Sequence, residues 1–246
     1  MLGDQFPVLF LGKNLLMHTV YHHTMNAGSR YVRLLLAEYD QSATFLEEKI
    51  WQRRPEFLSL NPAGTLPVLQ LPDGTPFCGS IVIGEYLDET RGALMRDKRL
   101  MPESSIERAE VRRIVDWFLI KFEAEVNRYI LQERVFKQLM RSEEGGGPPD
   151  SATIRAGRAN LAQHLNYLGM LSSKRDWLAG KSISNADMAA AAAVSVLDYL
   201  GEIHWEKQTI VKEWYARIKS RPSFRPLLAD KIVGLPPSSH YIDLDF

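Results

Sequence analysis

The 246-residue sequence has one cysteine, Cys78, so no disulfide can close within it, and a reducing compartment, the cytoplasm, is the expected setting. It has no net charge, with 30 Lys and Arg against 30 Asp and Glu. Without a basic surplus there is no general electrostatic reason for it to bind nucleic acid or an anionic membrane. It has no run of 18 apolar residues, so no spanning helix and no membrane insertion are expected. A secretory signal is not expected either. Asp4 stands ahead of the short apolar patch in MLGDQFPVLFLGKNLLMH, and no basic stretch does. Residues 1–16 read as a leader outside the fold, or as an overlong start ahead of Met17. There is no Walker loop, no GxGxxG, no HExxH and no internal repeat. His22 and His23 have no Cys or acidic partner at ligand spacing, so no metal site is expected.

What is present is an ordinary globular composition, 45% hydrophobic and 24% charged, in a chain long enough for one large core or two modest ones. Two halves of different character follow each other. In the first, Thr19 to Tyr21 reads as a short strand and 28-GSRYVRLLLAEY-39 as a helix with Val32, Leu35, Leu36 and Tyr39 on one face. Phe45 to Ile50 is a candidate second strand, and residues 51–64 a short helix and turn. Leu66 to Leu71 is a strand interrupted by Pro67. Asp73-Gly74 is a two-residue turn, Pro76 to Cys78 the return strand, and Ser80 the expected cap of a helix through Asp88. The order is β-α-β-α, then β-β-α.

Beyond about residue 95 everything regular reads as helix. Residues 106–140 keep one apolar face, and their mixed charges (Glu123, Glu125, Arg128, Glu133, Arg134) read as a solvated one. The stretch 143-EEGGGPPD-150 cannot continue a helix and reads as a flexible connection. Helices follow at 152–171, 185–200 and 207–220. The middle one, with 189-AAAAAV-194, is apolar nearly all round and belongs in the centre of a bundle. The expected organisation is an α/β domain over 17–93, an all-α domain over 104–228, and a tail over 229–246.

Three stretches together resemble the glutathione transferase superfamily from about Met17 to about Leu228. NPAGTLPVL (61–69) is similar to its turn and strand with a cis-proline, here Pro67. GSIVIGEYLD (79–88) is similar to the start of its third helix. ISNADMAAAAA (183–193) resembles its capping box, with Ser184 as cap and Asp187 as the acid. A weaker stretch, 214-WYARIKSRPSFRPL-227, looks like its last regular helix. The resemblance implies a thioredoxin-like N-terminal domain followed by a helical bundle. It implies a pocket at Leu66, Pro67, Gly79 and Ser80, where the Leu66 backbone and the helix opening at Ser80 would hold a peptide-like carboxylate.

The chemistry of such an enzyme needs a group that favours thiolate at the first strand–helix turn. The resemblance places Asn26 there, with Thr24 and Ser29 beside it. Ser29 also reads as the cap of the first helix. Gly79 stands where an acid or amide is expected to meet the ligand's ammonium. A missing charge-assisted hydrogen bond is worth roughly 1.5–3 kcal/mol, or about tenfold to a hundredfold in affinity. No catalytic residue and no cofactor are therefore expected. Glutathione, with Asn26, Thr24 or Ser29 at the sulfur, belongs to the alternative of a transferase or thiol reductase. A third possibility is a subunit of this fold in some other assembly. Cys78, beside Phe77 and Ile81, reads as an inert apolar thiol.

Two further stretches, 47-EEKIWQRRPEFLSLNPAG-64 and 235-LPPSSHYIDLDF-246, resemble a bacterial family of this fold that acts in cell division and binds filaments of the tubulin-like protein FtsZ. That resemblance implies a homodimer at the division site that bridges or curves filaments without catalysis. It points to Trp51, Arg53 and Arg54, and to Tyr241, Asp243, Asp245 and Phe246, as partner-binding residues. Trp51 flanked by arginines has the composition of an interface anchor. It could equally pack beneath the strand edge, with the arginines solvated. The tail could fold back on the helical domain or reach a partner.

Overall fold

The computed structural model describes residues 17–244. Expectations for residues 1–16, Asp245 and Phe246 lie outside the described residues. Four short strands form one mixed sheet in the order β2-β1-β3-β4: β1 (His18–His22), β2 (Ala43–Glu47), β3 (Val68–Gln70) and β4 (Pro76–Cys78). β1 and β2 are parallel, with Val20 opposite Phe45, and are joined across the sheet by α1 (Ala27–Glu38). Parallel neighbours require such a crossover, whereas β3 and β4 are antiparallel and need only the Asp73-Gly74 turn. That turn closes with Leu71 N–H on the Thr75 carbonyl and Thr75 N–H on Asp73 Oδ1. The short α2 (Pro55–Leu60) follows β2, and α3 (Ser80–Thr90) leaves β4.

Two expected caps change places. Asn26, not Ser29, caps α1, accepting the Ser29 N–H on Oδ1 at 2.7 Å. Ser29 sits buried in the first turn and donates its own hydroxyl to the same oxygen at 3.0 Å. At α3 the cap position is Gly79, with no side-chain cap bond, and Ser80 is the first helical residue. A carboxamide oxygen reaches two donors at once, so the short hydroxyl yields it the cap.

The helical part begins with α4, which opens as Ser105–Asp116 and continues without a break to Lys137–Leu139. Three of its segments, Trp117–Lys121, Glu123–Asn127 and Gln132–Phe136, have the wider π-helical bonding, a departure from the regular helix expected. Its charged side is not simply solvated. Glu133 is buried, accepting from Lys137 Nζ at 2.6 Å and from the Asp150 N–H at 2.7 Å, and Arg134 pairs with the buried Glu202. These bonds also fix the glycine stretch, which turns back on the helix end with Gly147 N–H on the Lys137 carbonyl, where a flexible connection was expected. Asp150 then caps α5 (Ser151–Lys174).

α6 (Asn185–Tyr199) is buried along its entire length and packs against both α1 and α4. Its five consecutive alanines permit that, because side chains this small let neighbouring helices close in on every side. The box at its start forms as expected. Ser184 accepts the Ala186 N–H, while Asp187 Oδ2 takes the Ser184 N–H and hydroxyl. Asp187 Oδ1 also accepts from Leu178 N–H and Trp214 Nε1, both at 3.0 Å. The cap therefore doubles as the tie between α6 and α7 (Thr209–Lys219). One continuous apolar core runs from Val20 and Leu69 under the sheet, through α1 and α6, to Trp214 and Phe224.

Residues 229–244 fold back over the helical part. Ser238 N–H reaches the Tyr199 carbonyl at 2.8 Å, and the Ser238 hydroxyl reaches that of Asp198 at 2.7 Å. Tyr241, expected to face a partner, is fully buried. It is a core residue in this fold, because burying the ring satisfies two cations, Arg30 and Lys219. Ile242, Asp243 and Leu244 remain exposed.

Candidate functional site

Three chain segments converge where α1 and α3 begin. The Leu66-Pro67 peptide is cis, and the Pro67 carbonyl accepts the Gly79 N–H at 3.0 Å. Gly28 lies against both: a Cβ on it would stand 3.1 Å from Ser80 Oγ and 3.2 Å from Pro67 Cδ. Leu66, Pro67, Gly79 and Ser80 are thus brought together, with Asn26 two residues before Gly28 as the cap of α1. The Leu66 N–H and C=O make no hydrogen bond among the described residues, and neither does the Ser80 hydroxyl. The first N–H groups of α3 open on the same place, a favourable seat for a carboxylate. These free groups can pair with the backbone and carboxylate of a peptide-like ligand.

The groups that would complete such a site are weak. Asn26 commits its carbonyl oxygen to Ser29, leaving only the amide N–H for a ligand. Thr24 lends its backbone carbonyl to Arg30 Nε at 2.7 Å. Ser29 is buried and turned to Asn26, so it cannot face a sulfur. Gly79 has φ 93°, and a Cβ there would meet nothing within 4 Å. The room for an acidic side chain exists, but the backbone conformation favours glycine. Cys78 is half-buried with its thiol 3.6 Å from the Leu60 carbonyl, and burial pushes its pKa up, away from thiolate. Four cavities of about 990, 430, 460 and 410 Å³ lie elsewhere, around the residue 95–103 linker and the ends of α5, α6 and α7. None of those four is lined by Asn26, Leu66, Gly79 or Ser80.

Beside this frame stands an aromatic cluster joining the sheet to α4. Trp51 is half-buried, its ring 5.9 Å from His23 and 5.7 Å from Phe136, and His23 is 5.1 Å from Phe136. Both readings of Trp51 thus meet in one place: one face packs inward while the side chain stays partly accessible. Arg54 holds the buried Glu48, Nη2 to Oε2 at 2.6 Å, and Arg53 projects into solvent from a left-handed turn. Phe45, Leu46 and Ile50 are exposed on and after the edge strand β2. His23 Nδ1 accepts the Met25 N–H, so its proton is on Nε2. Among the described residues neither that Nε2 nor Trp51 Nε1 has a hydrogen-bond acceptor, although Glu47 Oε1 lies 3.7 Å from the former. Burial, with neighbouring cations, lowers His22 and His23 to about 4, so both rings are neutral at pH 7.

Of the expected partner residues, Trp51, Arg53 and Arg54 follow β2, while Asp243 interacts with Lys219 at the end of the tail. The sequence reading missed His23, Phe136 and Arg30. Phe136 was visible only as one more residue of an apolar helix face. Arg30 carried no signal, since an arginine beside apolar neighbours on α1 reads as solvated until the fold closes around it.

The N-terminal domain of glutathione S-transferase matches residues 29–90, and the C-terminal domain of glutathione S-transferase matches residues 148–222. FtsZ-localized protein A of Caulobacter vibrioides is 42% identical over 231 residues, which is 93% of this chain and 98% of that protein. Among solved structures, a glutathione S-transferase from Sinorhizobium meliloti superposes with a TM-score of 0.92 at 54% identity, over 94% of this chain and all of that one. FzlA from C. crescentus superposes with a TM-score of 0.86 at 42% identity, with the same coverage. The chain belongs to the glutathione S-transferase superfamily and, within it, to the family that includes FtsZ-localized protein A.

Proposed function

We propose that this protein is a non-catalytic member of its fold that binds FtsZ filaments as a homodimer, bridging or curving them at the division site in the cytoplasm. The observation that carries the reading is the pairing at the first strand–helix turn. Asn26 uses its oxygen to cap α1, and the buried Ser29 donates its hydroxyl to that same oxygen, so neither is free to favour a thiolate. The relative named for its localisation to FtsZ supports the choice of partner. The partly exposed Trp51, next to exposed Ile50 and flanked by Arg53 and Arg54, offers an apolar anchor, and Asp243 offers charge at the tail. Exposed Val82 on α3 and Ile106 on α4 support a dimer built on those helices. Two copies of any filament-binding patch permit bridging through effective concentration alone. Purified protein mixed with polymerising FtsZ and GTP is expected in the pellet with the filaments. Recovery in the supernatant at both low and moderate salt would contradict this.

The second reading, a glutathione-dependent enzyme, is favoured by the intact frame of cis Leu66-Pro67 and the open α3 start at Ser80, and by the relative named a glutathione S-transferase. Millimolar glutathione separates the two. Little change in Tm is expected for the binding protein, and a rise of several degrees restores the enzyme.

A further inference from the structure

The tail meets the sheet-bearing part of the molecule through Arg30 and Arg33 of α1. Arg30 belongs to α1 and is fully buried; Nε and Nη2 reach the Thr24 carbonyl and Met25 Sδ near its own helix, while Nη1 serves the other half of the chain. Nη1 donates to Ser195 Oγ on α6 and to the Tyr241 hydroxyl, both at 2.9 Å, and Nη2 lies 3.6 Å from Asp230 Oδ2. One turn on, Arg33 grips Asp230 with two bonds of 2.8 Å. Tyr241 has a second cation beside it. Lys219 Nζ lies 5.8 Å from its ring centre and donates to the His240 carbonyl at 3.0 Å. The Tyr241 hydroxyl donates in turn to the Leu227 carbonyl at 2.9 Å. A buried cation stripped of its partners is strongly destabilising, so Arg30 and the tail hold each other in place.

Immediately beyond this anchor the chain emerges: Ile242 is 64% and Leu244 40% exposed. A free tail must be ordered when it binds, and that entropy is subtracted from its affinity. A tail whose root is fixed meets much of that demand in advance. We infer that Arg30 is the positioning residue of the C-terminal strap, holding Tyr241 so that residues 242–244 are presented to the filament from a fixed point at the junction of the two domains. The inference rests on the filament-binding reading of the tail. Arg30 is fully buried, so it bears on the filament only through the strap.

A double-mutant cycle tests this, using filament pelleting of four proteins: wild type, Arg30→Met, a truncation after Pro237, and the two changes combined. Arg30→Met is expected to weaken pelleting about tenfold in the full chain, and to change it less than about twofold once the strap is gone. An equal loss in both backgrounds overturns the inference, since it assigns Arg30 a general structural role. Hydrogen exchange gives the second readout. The amides of Ser238 and Tyr241, bonded to the carbonyls of Tyr199 and Ser238, are expected to exchange faster in Arg30→Met while those of α6 hold. Should Arg30→Met fail to fold, Tyr241→Phe, which loses only the hydroxyl, is expected to show the same exchange pattern in weaker form. Unchanged protection of both amides in whichever variant folds contradicts the positioning role. If wild type itself does not pellet, the filament reading falls and exchange alone decides whether Arg30 anchors the strap.

Discussion

At the scale of single residues, the site is defined by what its side chains are already committed to. Asn26 was identifiable in the sequence as the residue at the expected sulfur position, but its role as a cap was not. Asparagine and serine compete for the cap within three residues, and only the backbone geometry decides between them. His22 and His23 were equally visible and equally ambiguous. Folding buries both and holds them at about 4, against 6.5 in the unfolded chain. Between those values the unfolded chain binds more protons than the folded one. Stability that is complete above pH 6.5 is therefore lost as pH falls toward 4, and the loss levels off below that. Thermal unfolding is expected to show Tm dropping across this window, and substitution of both histidines by Gln should flatten the drop; an unchanged slope would show that other groups govern it. At Gly79, substitution by Glu restores the missing acid but forces a side chain onto φ 93°, at a cost of about 1–3 kcal/mol. Weak glutathione binding gained by Gly79→Glu, seen calorimetrically at millimolar ligand, would show that the frame is sound and only this partner is absent. No gain would place the defect in the frame.

At the scale of elements, most of the fold was legible because periodicity and punctuation agreed. The alanine run and the Ser184–Asp187 pair located α6, its burial and its cap without ambiguity. Ser184→Ala is expected to lower stability by about 1 kcal/mol, as for other caps. Asp187→Ala should cost more, because it strands the Trp214 and Leu178 donors along with the cap. Denaturant unfolding of the two variants checks the order, and equal losses would mean that Asp187 acts only as a cap. What the sequence did not reveal were contacts between distant segments. The π-helical widening of α4, the Glu133–Asp150 bond that orders the glycine turn, and the ring of Phe136 against Trp51 all depend on partners that local patterns do not name. Trp51→Ala removes the middle of that last contact and should cost about 3–5 kcal/mol if the ring is worth a core aromatic, less in proportion to its exposure. Pelleting by a folded Trp51→Ala protein at the wild-type level would remove Trp51 from the filament surface.

At the scale of the whole molecule, the two halves share one core and are strapped together by the tail through Arg30, Arg33 and Lys219. No helix of the described residues is long and apolar enough to cross a membrane. The tail illustrates the limit of sequence reading in physical terms. Its alternation of apolar and acidic residues is compatible with packing or with display, and the fold does both, burying Tyr241 and exposing Ile242 to Leu244. Asn26, placed by the resemblance at the turn where a transferase holds the sulfur, spends its oxygen on a helix cap, and with such a tail this is the basis of the proposed binding role. Sedimentation of the purified chain with FtsZ polymerised by GTP, at low and moderate salt, is the measurement to make. Saturable recovery in the pellet that depends on FtsZ and on GTP is the predicted result. A chain that remains in the supernatant at both salt concentrations, and whose Tm rises by several degrees in millimolar glutathione, would contradict it and return the protein to the enzymes of its fold.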